Sequence, residues 1–187
     1  MTTILVLFHS SHGSVRAMAN EIADAAEALG ANVLLRTFER REAHDIVVSK
    51  DDLIACNALA FGTPTRFGMM AAQAKQFWET TSDIWLKGQL IDKPACVFTS
   101  SSSMHGGQES TLLSMQIPLL HHGMVLCGIP YSQAALHSTQ SGGTPYGATH
   151  VAHNNNTQLS ADELQLAIAQ GARLARLAIA LQEIQHD

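Results

Sequence analysis

The residues best suited to bind a ligand lie in three short segments rich in glycine, serine or threonine. They are SSHGSV at residues 10–15, GTPTRFG at residues 62–68 and SSSSMHGGQES at residues 100–110, called here the first, second and third loops. Each loop follows or completes a short apolar run, so each is predicted to leave the end of a buried strand. Small residues at such positions let backbone N–H groups approach a ligand closely.

The first loop predicts an anion site. Ser10 and Ser14 supply hydroxyl groups, Gly13 allows close backbone approach, and the amides at the start of the following helix carry partial positive charge. This combination favours a phosphate group, although an ordinary N-cap made of serines is an equal alternative. The chain contains neither a G-x-G-x-x-G motif in this loop nor a G-x-x-x-x-G-K-[ST] motif anywhere, so a mononucleotide phosphate is the remaining candidate.

The second and third loops predict the walls of a pocket. Pro64 holds Thr63 extended, and the flanking glycines permit tight backbone geometry. The chain can then present Thr65, Arg66 and Phe67 to the edge of a flat ligand. The third loop adds further small residues with free amides. An ordinary turn is the alternative for each loop taken alone, but three such loops at one edge of a sheet favour a pocket for a planar heterocycle.

These loops must be positioned by an alternating series of strands and helices. Strands are predicted at residues 4–9, 32–38, 58–62, 95–100 and 125–129, and helices at residues 15–29, from residue 51, at residues 69–81 and 108–122, and from Ser160 through Ile184. Ser160 and Glu163 have the spacing of a capping box. Parallel neighbours need a crossover, which is usually a helix, so this order predicts an α/β fold with a doubly wound five-stranded parallel sheet and helices on both faces. Ligands bind such a sheet at the carboxyl ends of its strands.

Composition narrows the class of protein. A chain of 187 residues with 46% hydrophobic residues can bury one sizeable core, which predicts a single domain over residues 1–187. The net charge of −5 and the lack of a Lys/Arg-rich run argue against binding to nucleic acid or to an anionic membrane. The apolar runs are strand-sized and the first ten residues do not form a signal peptide, so we expect no membrane span.

The cysteines and histidines indicate neither a disulfide framework nor a metal centre. Cys56, Cys96 and Cys127 stand singly in apolar segments, as buried thiols of a cytoplasmic protein would. The ten histidines do not have the spacing of a metal motif, so we expect no metal.

The motifs together carry a family resemblance. SSHGSV, GTPTRFG, HGGQES, LLHHGM and GGTPYGAT, in this order and spacing, resemble the WrbA-type NAD(P)H:quinone oxidoreductases, which are flavodoxin-like proteins that bind FMN. The resemblance covers nearly the whole chain. It implies the flavodoxin-like strand order 2-1-3-4-5 and a homotetramer, a dimer of dimers, whose active sites are completed by neighbouring subunits.

The resemblance also assigns residues to the site. It implies FMN-binding roles for the residues of the three loops and for one histidine, namely Ser10, Ser11, His12, Gly13, Ser14, Val15, Pro64, Thr65, Arg66, Phe67, Ser100, Ser101, Ser102, Ser103, Met104, His105, Gly106 and His121. It implies catalytic contact for His121, and it puts Trp85 where substrate would lie over the flavin. His12 and Met69 depart from the residues common at these positions in the family, which leaves the contact with the electron donor open.

The implied reaction is a two-electron reduction of a quinone. NADH or NADPH would pass a hydride to FMN and leave, and a quinone would then take the same place in a ping-pong cycle. Two alternatives stay open from the sequence: a one-electron carrier of the flavodoxin type, and an FMN-binding regulatory or partner-binding module. For His121 the alternative is a helix C-terminus that favours positive side chains, and for Trp85 it is simple packing.

Overall fold

Within residues 1–182, the part of the chain that this computed structural model describes, the strands form one parallel sheet. The strands are β1 (Thr3–Phe8), β2 (Asn32–Thr37), β3 (Ala58–Pro64), β4 (Pro94–Ser101), β5 (Val125–Leu126) and β6 (Ala148–Val151). The helices are α1 (Ser14–Glu27), α2 (Lys50–Ala55), α3 (Ala72–Glu79), α4 (Ser82–Leu86), α5 (Gln108–His121), α6 (Ala135–Ser138) and α7 (Ala161–Gln182). The sheet order is β2-β1-β3-β4-β5, with β6 also paired to β4, which confirms the predicted flavodoxin-like order.

Two strands in succession fill the fifth position of the sheet, where the sequence predicted one longer strand. β5 pairs with Pro94 and Ala95 at the start of β4, and β6 pairs with residues 98–101 at its end. Residues 127–147 leave the sheet between them. Gly128 permits this departure, because a Cβ atom there would lie only 2.2 Å from the carbonyl oxygen of Pro145.

β1 separates the two layers of the core. Ile4, Val6 and Phe8 face the layer that contains α1 and α7, whereas Leu5 and Leu7 face the layer of α3 and α5. All five side chains are fully buried. Because both faces of the strand are covered, the segment has no polar side and reads as a continuous apolar run.

The contact between α1 and α7 fixes the position of α1, and with it the first loop. A Cβ atom on Gly171 of α7 would lie 2.4 Å from the carbonyl oxygen of Ile22 in α1, so the glycine allows the two helices to approach closely. By length and composition alone α7 could cross a membrane. Its Leu166 and Leu174, however, are buried in the core cluster that includes α1, and this position accounts for its apolar composition.

Further sequence predictions differ from the structure in detail, and one lies outside the described residues. α1 ends at Glu27, two residues before the predicted end at Leu29, and Leu29 is exposed. Trp85, where no helix was predicted, lies on the short helix α4, whose Ile84 packs into the core. Ile184, predicted near the end of the last helix, lies outside the described residues.

The substitution Gly171→Ala tests the α1–α7 contact. We expect it to lower the free energy of unfolding by about 1–3 kcal/mol, because the added methyl group meets backbone. Alanine has the higher intrinsic helix propensity, so a loss of stability must come from this contact. Urea unfolding measures the change, with Gln165→Ala on the exposed side of α7 as the matched control, expected within about 0.5 kcal/mol of the parent. A Gly171→Ala variant that is more stable than the parent would show that α1 and α7 are not in close contact at this position.

Candidate active site

The three loops converge at the carboxyl ends of β1, β3 and β4, as the sequence predicts. They line a cleft together with one residue that follows β6. The lining residues are Ser10, Ser11, His12, Ser14, Val15, Pro64, Thr65, Arg66, Ser100, Ser101, Ser102 and Ala152. Eleven of these twelve are among the residues that the sequence analysis assigned to the cofactor.

Unpaired backbone amides lie at the inner end of the cleft, where α1 begins. Gly13 has φ of 93°, a left-handed conformation that favours glycine and turns the chain into the helix. The Oγ atom of Ser10 accepts from the amides of Gly13 at 3.2 Å and Arg16 at 3.3 Å. Among the described residues the amides of Ser14 and Val15 have no hydrogen-bond acceptor, so two donors at the positive end of α1 remain free for a ligand.

Arg66 joins the first and second loops at the rim of the cleft. Its guanidinium donates to Ser11 Oγ at 2.7 Å and to the carbonyl oxygen of Thr65 at 3.1 Å. Arg16, although next to the free amides in sequence, points elsewhere, because it pairs with Asp45 at 2.8 Å and Glu42 at 2.9 Å. Arg66 is therefore the guanidinium positioned to meet a ligand in this cleft.

A tight turn closes the second loop. The amide and carbonyl groups of Arg66 and Met69 bond to each other at 2.9 and 3.0 Å. At the tip, Phe67 has φ of 52°, and its side chain is fully exposed. A left-handed aromatic residue is uncommon and is usually found where it has a functional or interface role. Phe67 does not line the cleft, so its predicted contact with the flavin stays a prediction.

Buried threonines, which the sequence analysis did not single out, hold the second loop to β4 and α5. Thr99 donates to the carbonyl oxygen of Thr63 at 2.6 Å, and its Oγ1 atom lies 3.3 Å from that of Thr65. Thr111 of α5 reaches the same Thr65 hydroxyl at 3.3 Å. Hydroxyls at strand ends are a weak signal in sequence, because their partners come from other elements.

The third loop is shaped by its own hydrogen bonds. Ser101 donates to the carbonyl oxygen of Ser103 at 2.6 Å and accepts from the side-chain amide of Gln108 at 2.8 Å. Ser103, Met104, His105 and Gly106 lie beyond the cleft lining; Met104 and His105 line a separate surface pocket with Ser141 and Thr144. The structure thus brings the first three serines of this loop into the cleft.

A second, larger pocket of about 880 Å³ adjoins the cleft and shares Arg66 with it. Its surface is mostly apolar and comes largely from α3, α4 and α5, and it contains both predicted catalytic residues, Trp85 and His121. Trp85 is 51% exposed, so α4 holds it at the surface of the pocket. Trp78, on the neighbouring helix, is buried and forms part of the core.

His122, beside His121, is the buried histidine of this pocket. Its Nε2 atom lies 2.9 Å from the hydroxyl of Thr81, and that hydroxyl donates to the carbonyl oxygen of Trp78 at 2.8 Å. Since the threonine proton is committed, the proton of the neutral ring lies on Nε2. Burial lowers the pKa of His122, and the nearby His121 lowers it further. His121 ends α5 and is exposed, so the structure offers it to a ligand directly.

Sequence reasoning also missed two residues that border the first loop. Ala152 lines the cleft because β6 continues the fifth sheet position and returns the chain to this edge. His9 directly follows β1 and is 3% exposed, and its Nε2 atom lies 3.3 Å from Ser11 Oγ. Burial is the main cause that lowers the pKa of His9, so it serves as a neutral partner of the loop.

Comparison with known proteins identifies relatives over almost the full chain. A protein named NAD(P)H dehydrogenase (quinone) from Chromohalobacter salexigens is 40% identical, covering 97% of this chain and 99% of the relative. One of the same name from Geotalea daltonii is 39% identical, covering 95% and 97%. The crystal structure of a flavodoxin, WrbA-like protein from Agrobacterium tumefaciens superposes with a TM-score of 0.74 at 26% identity, covering 96% of this chain and 99% of that one. These similarities confirm the WrbA-type resemblance.

Residues 2–137 match the family described as NADPH-dependent FMN reductase. That segment includes all three loops and both residues predicted to be catalytic. The chain belongs to the NADPH-dependent FMN reductase family.

Proposed function

We propose that this protein is a flavoenzyme that binds FMN and transfers two electrons from NADH or NADPH to a quinone. Family membership and the names of its relatives support an oxidoreductase of this kind. The observation that carries the proposal is the junction of the two cavities: a cleft with free helix amides opens beside an apolar pocket that contains Trp85 and His121. One cavity suits a phosphorylated cofactor, and the other suits a flat substrate.

The residues of the cleft fit FMN. The free amides of Ser14 and Val15 and the hydroxyl of Ser10 would hold its phosphate, because an anion is favoured at a helix N-terminus. Gly13 is required beside it, since a Cβ atom there would lie 3.1 Å from Thr157 Cγ2 and φ is positive. The backbone of Thr65 and of the third-loop serines would follow the edge of the ring system, where fixed dipoles stabilise added charge.

When bound, FMN would supply the redox chemistry, taking a hydride from the nicotinamide and passing it on to the quinone. The protein positions both substrates in turn in the one apolar pocket, which is the basis of the proposed ping-pong order. Trp85 stacks against the substrate ring, an interaction of about 0.5–1.5 kcal/mol. His121 hydrogen-bonds the quinone oxygen and delivers a proton to it. The buried, neutral His122 orients the end of α5 through Thr81.

Assembly and location form part of the proposal. We propose a homotetramer, a dimer of dimers, in the cytoplasm. Apolar side chains around the second pocket are unusually exposed for a monomer and would be covered by neighbouring subunits: Phe67, Met69, Trp85, Leu113, Ile117 and Leu120. The three cysteines are free and buried, which suits a reducing compartment.

The reaction is tested by separating its two halves. The purified protein should be yellow, and anaerobic NADH or NADPH should bleach the flavin absorbance before benzoquinone restores it. Steady-state rates should then give parallel double-reciprocal lines, the pattern of a ping-pong cycle. A flavin that neither donor reduces would point to a one-electron carrier, and a colourless protein that takes up no FMN would point to a regulatory module.

Arg66→Ala tests the rim of the cleft. We expect the FMN dissociation constant to rise about tenfold, because the substitution removes a guanidinium that joins two loops and faces the cofactor. Fluorescence titration of the apoprotein measures it. The matched control is Arg40→Ala, an exposed arginine outside the cleft, which removes the same charge. Equal affinities for both variants would remove Arg66 from the cofactor site; adding Phe67→Ala then tests whether the exposed phenylalanine contributes.

Trp85→Ala tests the substrate pocket. We expect the KM for quinone to rise about threefold to tenfold, the effect of losing one aromatic stacking contact. The melting temperature should stay nearly unchanged because the indole is half exposed. Leu86→Ala, one residue further along α4 and 76% exposed, is the control with normal kinetics. A large drop in melting temperature together with normal quinone kinetics would return Trp85 to a packing role.

A further inference from the structure

A buried ion pair lies directly behind the first loop, outside the chemistry described above. His150 of β6 and Glu163 of α7 are 1% and 2% exposed, and His150 Nδ1 lies 2.8 Å from Glu163 Oε2. Charged side chains are almost never this deeply buried unless they are paired and hydrogen-bonded. The sequence predicted Glu163 as part of a capping box with Ser160, and both capping bonds are present, at 2.8 and 3.2 Å. The carboxylate, however, does more than cap α7.

The hydrogen bonds define the charge of both partners. The carboxylate of Glu163 also accepts from the amides of Gly142 at 2.8 Å and Val151 at 2.9 Å. Burial opposes ionisation, but His150 and the amides of Ser160 and Val151 outweigh it and lower the pKa of Glu163 to about 2. Because its partners here are N–H donors, the group must be ionised.

His150 must carry two protons in this geometry. Its Nδ1 atom faces the Glu163 carboxylate, and its Nε2 atom lies 2.8 Å from the carbonyl oxygen of Asn156. Both partners are acceptors, and a neutral imidazole has only one N–H to offer. Burial opposes the charge, but the hydrogen bonds to Glu163 and Asn156 outweigh it and raise the pKa of His150.

The groups packed around His150 leave Glu163 as the charge that acts on it. Ser100 of β4, opposite His150 in the sheet register, is neutral, and so is Ser14, whose hydroxyl shares the Asn156 carbonyl oxygen with the ring. Glu163 is the charged residue that α7 brings to the ring among residues 1–182. The protonation state of His150 therefore depends on the Glu163 carboxylate and on the Asn156 carbonyl.

The Asn156 carbonyl that His150 contacts belongs to a turn packed against the first loop and the start of α1. The hydroxyl of Ser14 lies 3.5 Å from the same Asn156 oxygen. Thr157 Cγ2 occupies the space where a side chain on Gly13 would project. Ala152, at the start of this segment, lines the cleft itself. Residues 152–157 thus form a wall behind the first loop, and His150 fastens that wall to α7.

We propose that His150 is a positioning residue for the cofactor phosphate: its charged form holds the turn at residues 156–157 against Gly13 and Ser14, and affinity for the phosphate falls when the ring loses a proton. This inference rests on the proposed FMN-binding function. The neutral ring can keep only one of its two hydrogen bonds, so either the carboxylate or the Asn156 carbonyl loses its partner. When the Asn156 carbonyl is released, the turn at residues 156–157 is no longer held in place. The free amides of Ser14 and Val15 then lose the segment packed behind them.

The sign of the pH effect follows from the raised pKa of His150. A group with a raised folded-state pKa contributes its full stabilisation below the unfolded value, near 6.5, and loses it as pH rises through the folded value. The phosphate monoester has its second pKa at about 6, so it is a dianion throughout the alkaline range. A fall in affinity above about pH 7.5 then comes from the protein and not from the ligand.

FMN and riboflavin, which differ by the phosphate group, separate this effect from other changes in the site. Dissociation constants are measured for the apoprotein by flavin fluorescence from about pH 7.5 upward, over the range in which the protein stays folded. We expect affinity for FMN to fall about tenfold across this range, the size of one lost charge-assisted hydrogen bond, while riboflavin affinity stays constant. A constant ratio of the two affinities would overturn the proposal.

The variant His150→Gln should abolish the pH step. We expect it to bind FMN about tenfold more weakly than the parent at neutral pH, with no further change on alkalinisation and no change for riboflavin. His44→Gln is the control, because His44 is an exposed histidine that also faces a carboxylate, Glu42 at 3.3 Å, and lies outside both the cleft and the wall. A His150→Gln variant that keeps the parent's pH step would also overturn the proposal.

Amide NMR of the parent protein without flavin tests the positioning role directly. It applies even if the His150→Gln variant does not fold or the protein binds no flavin. The amide signals of Gly13 and Ser14 should shift with the same midpoint pH as the ring signals of His150. Signals that do not follow the ring would overturn the positioning role. Failure of both flavins to bind at any pH would instead contradict the proposed function, so the two failures are distinguishable.

Discussion

The free amides of Ser14 and Val15 at the start of α1 are the constraint on which the rest of the site depends. A helix must leave its first N–H groups without intrahelical partners, and a buried helix end without partners is costly. Here Ser10 satisfies the amide of Arg16, and the remaining two donors are left facing the cleft. The core holds α1 against the sheet and α7, and residues 156–157 lie against its first turn, so both contacts fix the direction of these donors.

The same rigidity extends to the other side of the cleft. Gly62 allows β3 to approach β4, because a Cβ atom there would lie 2.2 Å from the ring of Phe98. Thr99 then holds the carbonyl of Thr63 and Thr111 holds the hydroxyl of Thr65, while the amide of Thr65 donates to Ser100 of β4 at 2.8 Å. Because the second loop is held in place before a ligand binds, it loses little conformational entropy on binding. The fold therefore presents its loops as rigid walls, and the substrate pocket beside them takes its shape from helices α3 to α5.

Sequence reasoning recovered the features whose signals are local. Apolar runs gave the strands, and the loops after them supplied nearly all of the cleft lining. The split fifth position was not predictable, because β6 has only four residues and pairs with β4 after a long excursion of the chain. The role of His150 was hidden for a similar reason. Its partner is thirteen residues away on another element, so it read as one scattered histidine, and only the capping-box spacing of Glu163 was visible.

The distribution of charge explains why the wall behind the first loop matters. The chain has a net charge of −5, and Arg16, the basic residue closest in sequence to the free amides, is paired with Asp45 and Glu42. Binding of a phosphate dianion then depends mainly on backbone dipoles, with Arg66 at the rim. The dipole effect of a helix terminus acts only within its first turn, so small displacements of the amides cost much of it. A phosphate site that depends on backbone dipoles needs amides held in fixed positions. The charged His150, buried against Glu163, holds the segment behind these amides through its hydrogen bond to the Asn156 carbonyl.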